Sequence, residues 1–156
     1  MGISLLLGLA ALGLVAAAWH RFEGRWDRRL FGREQGANHA NVGPGGAARW
    51  LAAHPGARVL DVRSRGEFAR GALAGAVWVP LAALADSGEV DAWDRAAGLL
   101  VYCAGGYRSR KAVELLQARG FANLQHLHRG YGSWRLAGFP VVFPGAPLGR
   151  SPGGAP

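Results

Sequence analysis

Apolar residues along this chain fall into one long run and several short ones. From Ile3 to Trp19 the sequence ISLLLGLAALGLVAAAW carries no charge, whereas beyond it the apolar stretches last four or five residues: RVLDV (58–62), AVWVP (76–80), LLVYC (99–103) and LQHL (124–127). Short, nearly continuous apolar runs bounded by turn residues are the pattern of strands buried on both faces. Between the last two, residues 108–119 place Ala112, Leu115 and Leu116 on one helical face, and Ala47–Ala53 also has a helical pattern. Ser64-Arg65-Gly66-Glu67 matches the S-x-x-E capping box and predicts a short helix there. Strands alternating with helices imply an α/β domain, a mainly parallel sheet with helices on both faces. EQGANHANVGPGG (34–46) has no apolar period and reads as a linker or an irregular lead-in strand. The tail after Pro140, ending PGAPLGRSPGGAP, is expected to be disordered.

The long run is a candidate membrane span. At about 1.5 Å rise per residue, a helix over 3–19 comes close to a hydrocarbon core of roughly 30 Å. A cleaved signal peptide is the alternative, with Ala16-Ala17-Ala18 as its small-residue site. No lysine or arginine precedes the run, however, and Arg21, Arg25, Arg28 and Arg29 crowd its far side. That asymmetry favours an uncleaved single-pass anchor with the following domain in the cytoplasm, and Trp19, Phe22 and Trp26 near the interface. The expected organisation is a transmembrane helix at 3–19, a juxtamembrane linker at 20–41, a folded domain at 42–143 and a tail at 144–156.

Composition narrows the chemistry. A chain of 156 residues holds one domain with extensions, and a single cysteine excludes an intramolecular disulfide framework and a thiolate zinc cluster. The net charge of +8 comes almost wholly from scattered arginines, with no basic run interleaved with aromatics, so no nucleic-acid partner is expected. His126 and His128 alternate on one predicted strand, but two ligands without a nearby carboxylate make a poor metal site.

The cysteine sits in VYCAGGYRSR (101–110), where a strand ends and a helix is about to begin. In open parallel sheets, ligands bind beyond such strand ends. Gly105 and Gly106 permit the positive φ angles of a tight loop whose amides point inward at an anion. The helix N-terminus adds partial positive charge, and both effects favour a thiolate at neutral pH. The alternative is an inert, half-buried cysteine that happens to precede a turn.

These residues resemble the active loop of single rhodanese-like domains, which are sulfurtransferases: Cys103, Gly106, Arg108 and Ser109 stand on the family's C-x-x-G-x-R-S positions. Further motifs agree in order and spacing: Asp61-Val62-Arg63 with Glu67-Phe68; Gly71, Gly75, Ala76 and Pro80; and Gly130, Trp134 and Gly138 to Val141. Ala72, Ala74 and Arg129 depart from the family's usual histidine, proline and glycine. The resemblance implies a rhodanese-like three-layer fold and a two-step exchange through a Cys103 persulfide. The donor would be a small sulfur-containing anion such as thiosulfate, or a protein persulfide, and the acceptor a thiol or cyanide. No metal or organic cofactor is needed.

The loop Ala104, Gly105, Gly106, Tyr107, Arg108 and Ser109 would bind substrate, with Asp61, Arg63 and Glu67 in support. Arg108 either guides the donor anion or pins the loop by pairing with Glu67 or Asp61. Phosphatases related in fold need C-x5-R, one residue longer than the C-x4-R present here. A noncatalytic module tethered to the membrane is the other alternative.

Overall fold

The computed structural model describes residues 39–144. The expected membrane segment 3–19, most of the linker and the tail beyond residue 144 lie outside the described residues. Among those described, no helix is long and apolar enough to cross a membrane.

Five strands form one parallel sheet: β1 (His39–Val42), β2 (Arg58–Asp61), β3 (Ala76–Trp78), β4 (Leu99–Tyr102) and β5 (Leu124–Leu127), in the spatial order β1-β5-β4-β2-β3. Among the described residues six helices accompany it: α1 (Pro44–Ala53), α2 (Arg65–Ala69), α3 (Leu81–Leu84), α4 (Gly88–Asp91), α5 (Tyr107–Ala118) and α6 (Gly130–Leu136). Neighbouring residues of the central strands enter opposite cores. Leu60, Leu99, Val101 and Leu124 pack with Ala112, Val113 and Leu116 of α5, while Val59, Leu100 and Leu127 pack with Ala47 and Trp134. Burial on both faces is the physical reason these strands read as unbroken apolar runs.

Several details differ from expectation. His39–Val42, within the stretch read as a linker or irregular strand, is edge strand β1, in register with Leu124–Leu127. Its partner supplies the ladder, so it needs little apolar character of its own. Helix α1 begins at Pro44, three residues before the apolar pattern, because proline at the first turn has no N–H to lose. On α5 the buried stripe is Ser109, Ala112, Val113 and Leu116, and Leu115 is 37% exposed. The stripe is rotated because its first member is polar and faces the end of β4.

The capping box of α2 forms as expected, with the Ser64 amide donating to Glu67 Oε2 at 2.9 Å and the Glu67 amide to Ser64 Oγ at 3.4 Å. Residues 140–142, within the stretch expected to be disordered, are fastened: Ala72 and Val142 exchange backbone hydrogen bonds of 2.7 and 2.8 Å, and Trp134 Nε1 donates to Pro140 O at 2.9 Å.

Candidate active site

Cys103 is the first residue beyond β4, at the carboxyl edge of the sheet, and is 1% exposed. The chain then turns through Ala104, Gly105 and Gly106 into α5. Gly106 has φ of 102°, and a Cβ there would run into the carbonyl of His128. Glycine therefore permits both the left-handed turn and its close approach to the end of β5. As a result the Gly106 amide donates to Cys103 Sγ at 3.1 Å, with the amides of Gly105 and Ser109 also turned to the sulfur.

Ser109 Oγ lies 3.4 Å from the same sulfur. Burial pushes the thiol up, but the Ser109 hydroxyl and the amides of Ser109, Gly106 and Gly105 outweigh it and hold the thiol below its ordinary 9.0. The outcome is a cysteine poised toward its anion in an enclosed cradle of donors.

A second helix braces the loop from outside. Tyr131 N donates to Cys103 O at 2.7 Å and Gly132 N to Ala104 O at 3.1 Å. Gly130, with φ of 60°, allows this approach, since a Cβ there would collide with the Cys103 carbonyl. Arg129, where the family usually has glycine, takes an ordinary φ of −100°. The turn therefore keeps its shape, because Gly130 carries the positive φ.

The sequence-derived site residues divide into three groups. Cys103, Gly105, Gly106 and Ser109 converge on the sulfur. Tyr107 opens α5 but is 65% exposed, with Lys111 Nζ 5.3 Å from its ring centroid. Arg108 reaches across to α2, where Nη1 and Nη2 donate to Glu67 Oε2 and Oε1 at 2.8 and 2.7 Å. The same Oε2 accepts from the Ser64 amide and hydroxyl, so the capping box of α2 anchors the loop. Arg108 is raised above its ordinary value chiefly by Glu67 and less by the Cys103 sulfur.

Asp61 and Arg63 form a buried unit under the other sheet face. Arg63 Nε and Nη2 donate to the Asp61 carboxylate at 2.6–3.0 Å, Tyr102 Oη donates to Asp61 Oδ2 at 2.6 Å, and Arg63 Nη2 donates to Gly71 O at 2.6 Å. The guanidinium also lies 4.1 Å from the centroid of Tyr131, the residue whose amide holds the Cys103 carbonyl. The unit supports the loop from behind and does not face the sulfur. Burial and the Asp61 carboxylate push the Tyr102 phenol far up, so it remains a donor.

His126 is a neighbour of the loop that strand periodicity does not reveal. Its Nε2 lies 2.9 Å from Ser109 Oγ, behind the loop. Only the folding of β5 beside β4 brings it there. His128 instead turns Nδ1 to Val42 O at 3.0 Å. Among the described residues no three histidine, cysteine, aspartate or glutamate side chains cluster so as to hold a metal ion.

The Arg108–Glu67 pair has a testable pH signature. Hydrogen bonding to Arg108, followed by that to Ser64, holds the Glu67 carboxyl at about 2 instead of 4.5. A carboxyl held low stabilises the fold above its ordinary value and ceases to do so as pH falls toward the depressed one. Glu67→Gln, which can still cap α2, should therefore melt a few degrees below wild type at neutral pH. The two melting curves should converge as pH drops from about 4.5 toward about 2. A difference that persists unchanged at the acid end would mean that the pair is not its source.

A model of the rhodanese-like domain matches residues 47–137. An HTH-type transcriptional regulator of Mycobacterium tuberculosis is 37% identical over 94 residues, 59% of this chain and 40% of that protein. The chain thus spans less than half of the regulator. Thiosulfate sulfurtransferase 16, chloroplastic, of Arabidopsis thaliana is 33% identical over 96 residues, 55% of this chain and 80% of that protein. The crystal structure of a rhodanese-related protein from Thermoplasma volcanium superposes with a TM-score of 0.58 at 28% identity, covering 66% of this chain and 97% of that one.

Proposed function

Because this chain belongs to the rhodanese-like domain family, we propose that it is a sulfurtransferase that carries sulfane sulfur as a persulfide on Cys103. The observation that carries the proposal is the enclosed Sγ with two donors on it, the Gly106 amide at 3.1 Å and the Ser109 hydroxyl at 3.4 Å. The Cys103 thiolate attacks the outer sulfur of thiosulfate. The donor's S–S bond breaks, its electron pair leaves with sulfite, and the sulfur stays on the enzyme as Cys–S–S⁻. The loop donors stabilise the terminal sulfur's charge. Cyanide or a thiolate then takes that sulfur, and the pair in the S–S bond returns to Cys103.

The ion pair of Arg108 with Glu67 supports the loop-pinning role, and a guanidinium that is 35% exposed keeps its charge accessible to a donor anion. A sulfur with 1% exposure favours slender donors over bulky ones. Intact-mass measurement after thiosulfate, and separately after a low-molecular-weight persulfide, tests the proposal. The wild-type protein should gain the mass of one sulfur atom and lose it to cyanide. A protein that gains none from either donor would be a noncatalytic module. Release of phosphate from an aryl phosphate without sulfur uptake would instead favour the phosphatase alternative.

The proposal includes a membrane tether at residues 3–19 with the domain on the cytoplasmic side, supported by the arginines from Arg21 to Arg29. Thiols are kept reduced there, which lets a lone cysteine cycle through its persulfide. A C-terminal reporter active only in the cytoplasm should give signal, and one active only outside should not. The reverse pattern, with a mature chain beginning near Trp19, would establish a cleaved signal peptide.

A further inference from the structure

The ring of His126 stands behind the nucleophile, and nothing in the sulfur chemistry above uses it. The residue is 5% exposed and lies on β5 opposite Val101 of β4. Its Nε2 is 2.9 Å from Ser109 Oγ and 3.1 Å from Gly106 O, and its Nδ1 is 2.8 Å from Asn41 Oδ1 on β1. Ser109 Oγ is in turn 3.4 Å from Cys103 Sγ and 3.1 Å from Gly106 O.

A hydroxyl has one proton to give, and a carbonyl oxygen can only accept. If that proton goes to Gly106 O, or to a bare Nε2, Ser109 turns only lone pairs toward the sulfur. If Nε2 carries a proton, it satisfies both Gly106 O and Ser109 Oγ, and the hydroxyl is released to donate to Sγ. Gly106 O can only accept, so it favours the tautomer that carries its proton on Nε2. Among the described contacts, the ring is linked through Ser109 to the ionisable Cys103 thiol on the loop before α5, meets uncharged Asn41 of β1, and stands in register with Val101 of β4.

We propose that His126, held by Asn41, is a positioning residue that donates through Nε2–H to Ser109 and thereby aims the Ser109 hydroxyl at the Cys103 sulfur. This rests on Cys103 being the nucleophile proposed above, and its test reads that thiol without requiring sulfur transfer. The pH dependence of Cys103 alkylation by iodoacetamide, in the full chain, gives the thiol's midpoint. A hydrogen bond to an ionised group is worth about one pKa unit. Ser109→Ala and His126→Leu are each expected to raise the midpoint by about that much. Their combination should go no higher than Ser109→Ala alone, because without the hydroxyl His126 has no route to the sulfur. His126→Gln, whose amide can donate from a similar place, should move the midpoint back toward wild type.

A double-variant shift equal to the sum of the two single shifts would overturn the proposal. So would a His126→Leu protein that melts earlier but keeps the wild-type midpoint. If His126→Leu does not fold, imidazole NMR decides on protein with the ring intact. Alkylating Cys103 should move the ring's titration in wild type and leave it in place in Ser109→Ala, and an unmoved wild-type ring overturns the coupling. The expected alkylation pattern in a protein that takes up no sulfur would uphold the role of His126 while sinking the sulfurtransferase proposal.

Discussion

Cys103→Ser protein is expected to take up no sulfur from thiosulfate or from a persulfide, with its transferase rate at background. Serine fits the cradle, since the side chain is nearly isosteric and the donors from Gly106 and Ser109 remain. The alkoxide it would need is far less accessible than a thiolate, and an oxygen cannot take the place of the sulfur in a persulfide. Because the cradle is otherwise intact, the thermal midpoint should stay close to wild type. Mass spectrometry and a melting curve on the same preparation therefore separate chemistry from folding. Full transferase activity in Cys103→Ser would end the assignment of Cys103 as carrier, whatever the family's usual chemistry.

The largest expected effect on stability lies at Asp61, on the sheet face away from the sulfur. Asp61 is fully buried, and Arg63, its partner, is 2% exposed. Asp61→Ala would leave that guanidinium with Gly71 O but without its counter-charge, and would strip Tyr102 Oη of its acceptor. Breaking a buried pair from one side costs about 3–5 kcal/mol. At about 4–8 °C per kcal/mol for a domain of this size, the midpoint should fall by on the order of 12–40 °C. Replacing both partners, as in Asp61→Leu with Arg63→Met, should recover much of the loss because no charge is then stranded. Below its lowered midpoint, Asp61→Ala should still alkylate at Cys103. An unchanged melting temperature would refute the structural role, and a folded variant with an unreactive Cys103 would move Asp61 into the catalytic machinery.

The α/β class, the strands β2 to β5, the capping box at Ser64 and Glu67, and Cys103 at a strand end could all be read from the chain itself. Each rests on local physics: a strand buried on two faces has to be apolar throughout, a helix start needs a capping side chain, and a tight loop needs glycine. The chain itself does not choose between Glu67 and Asp61 as the bidentate partner of Arg108, because nothing within a few residues of Arg108 says which carboxylate the sheet will carry beside it.

Contacts between distant segments were decided by tertiary structure alone. His39–Val42 has too little apolar pattern to announce a strand, and β5 recruits it through backbone hydrogen bonds that are indifferent to side chains. The resemblance puts Ser109 in the active loop, but only the docking of α5 with that face inward brings its hydroxyl to both Cys103 and His126. His126 is separated from Ser109 by 17 positions and from Asn41 by 85, so no periodicity links them. Local sequence determined which residues could form a reactive cysteine loop. The parallel order of β1, β5 and β4, set by burying two cores at once, decided which side chains stand behind it.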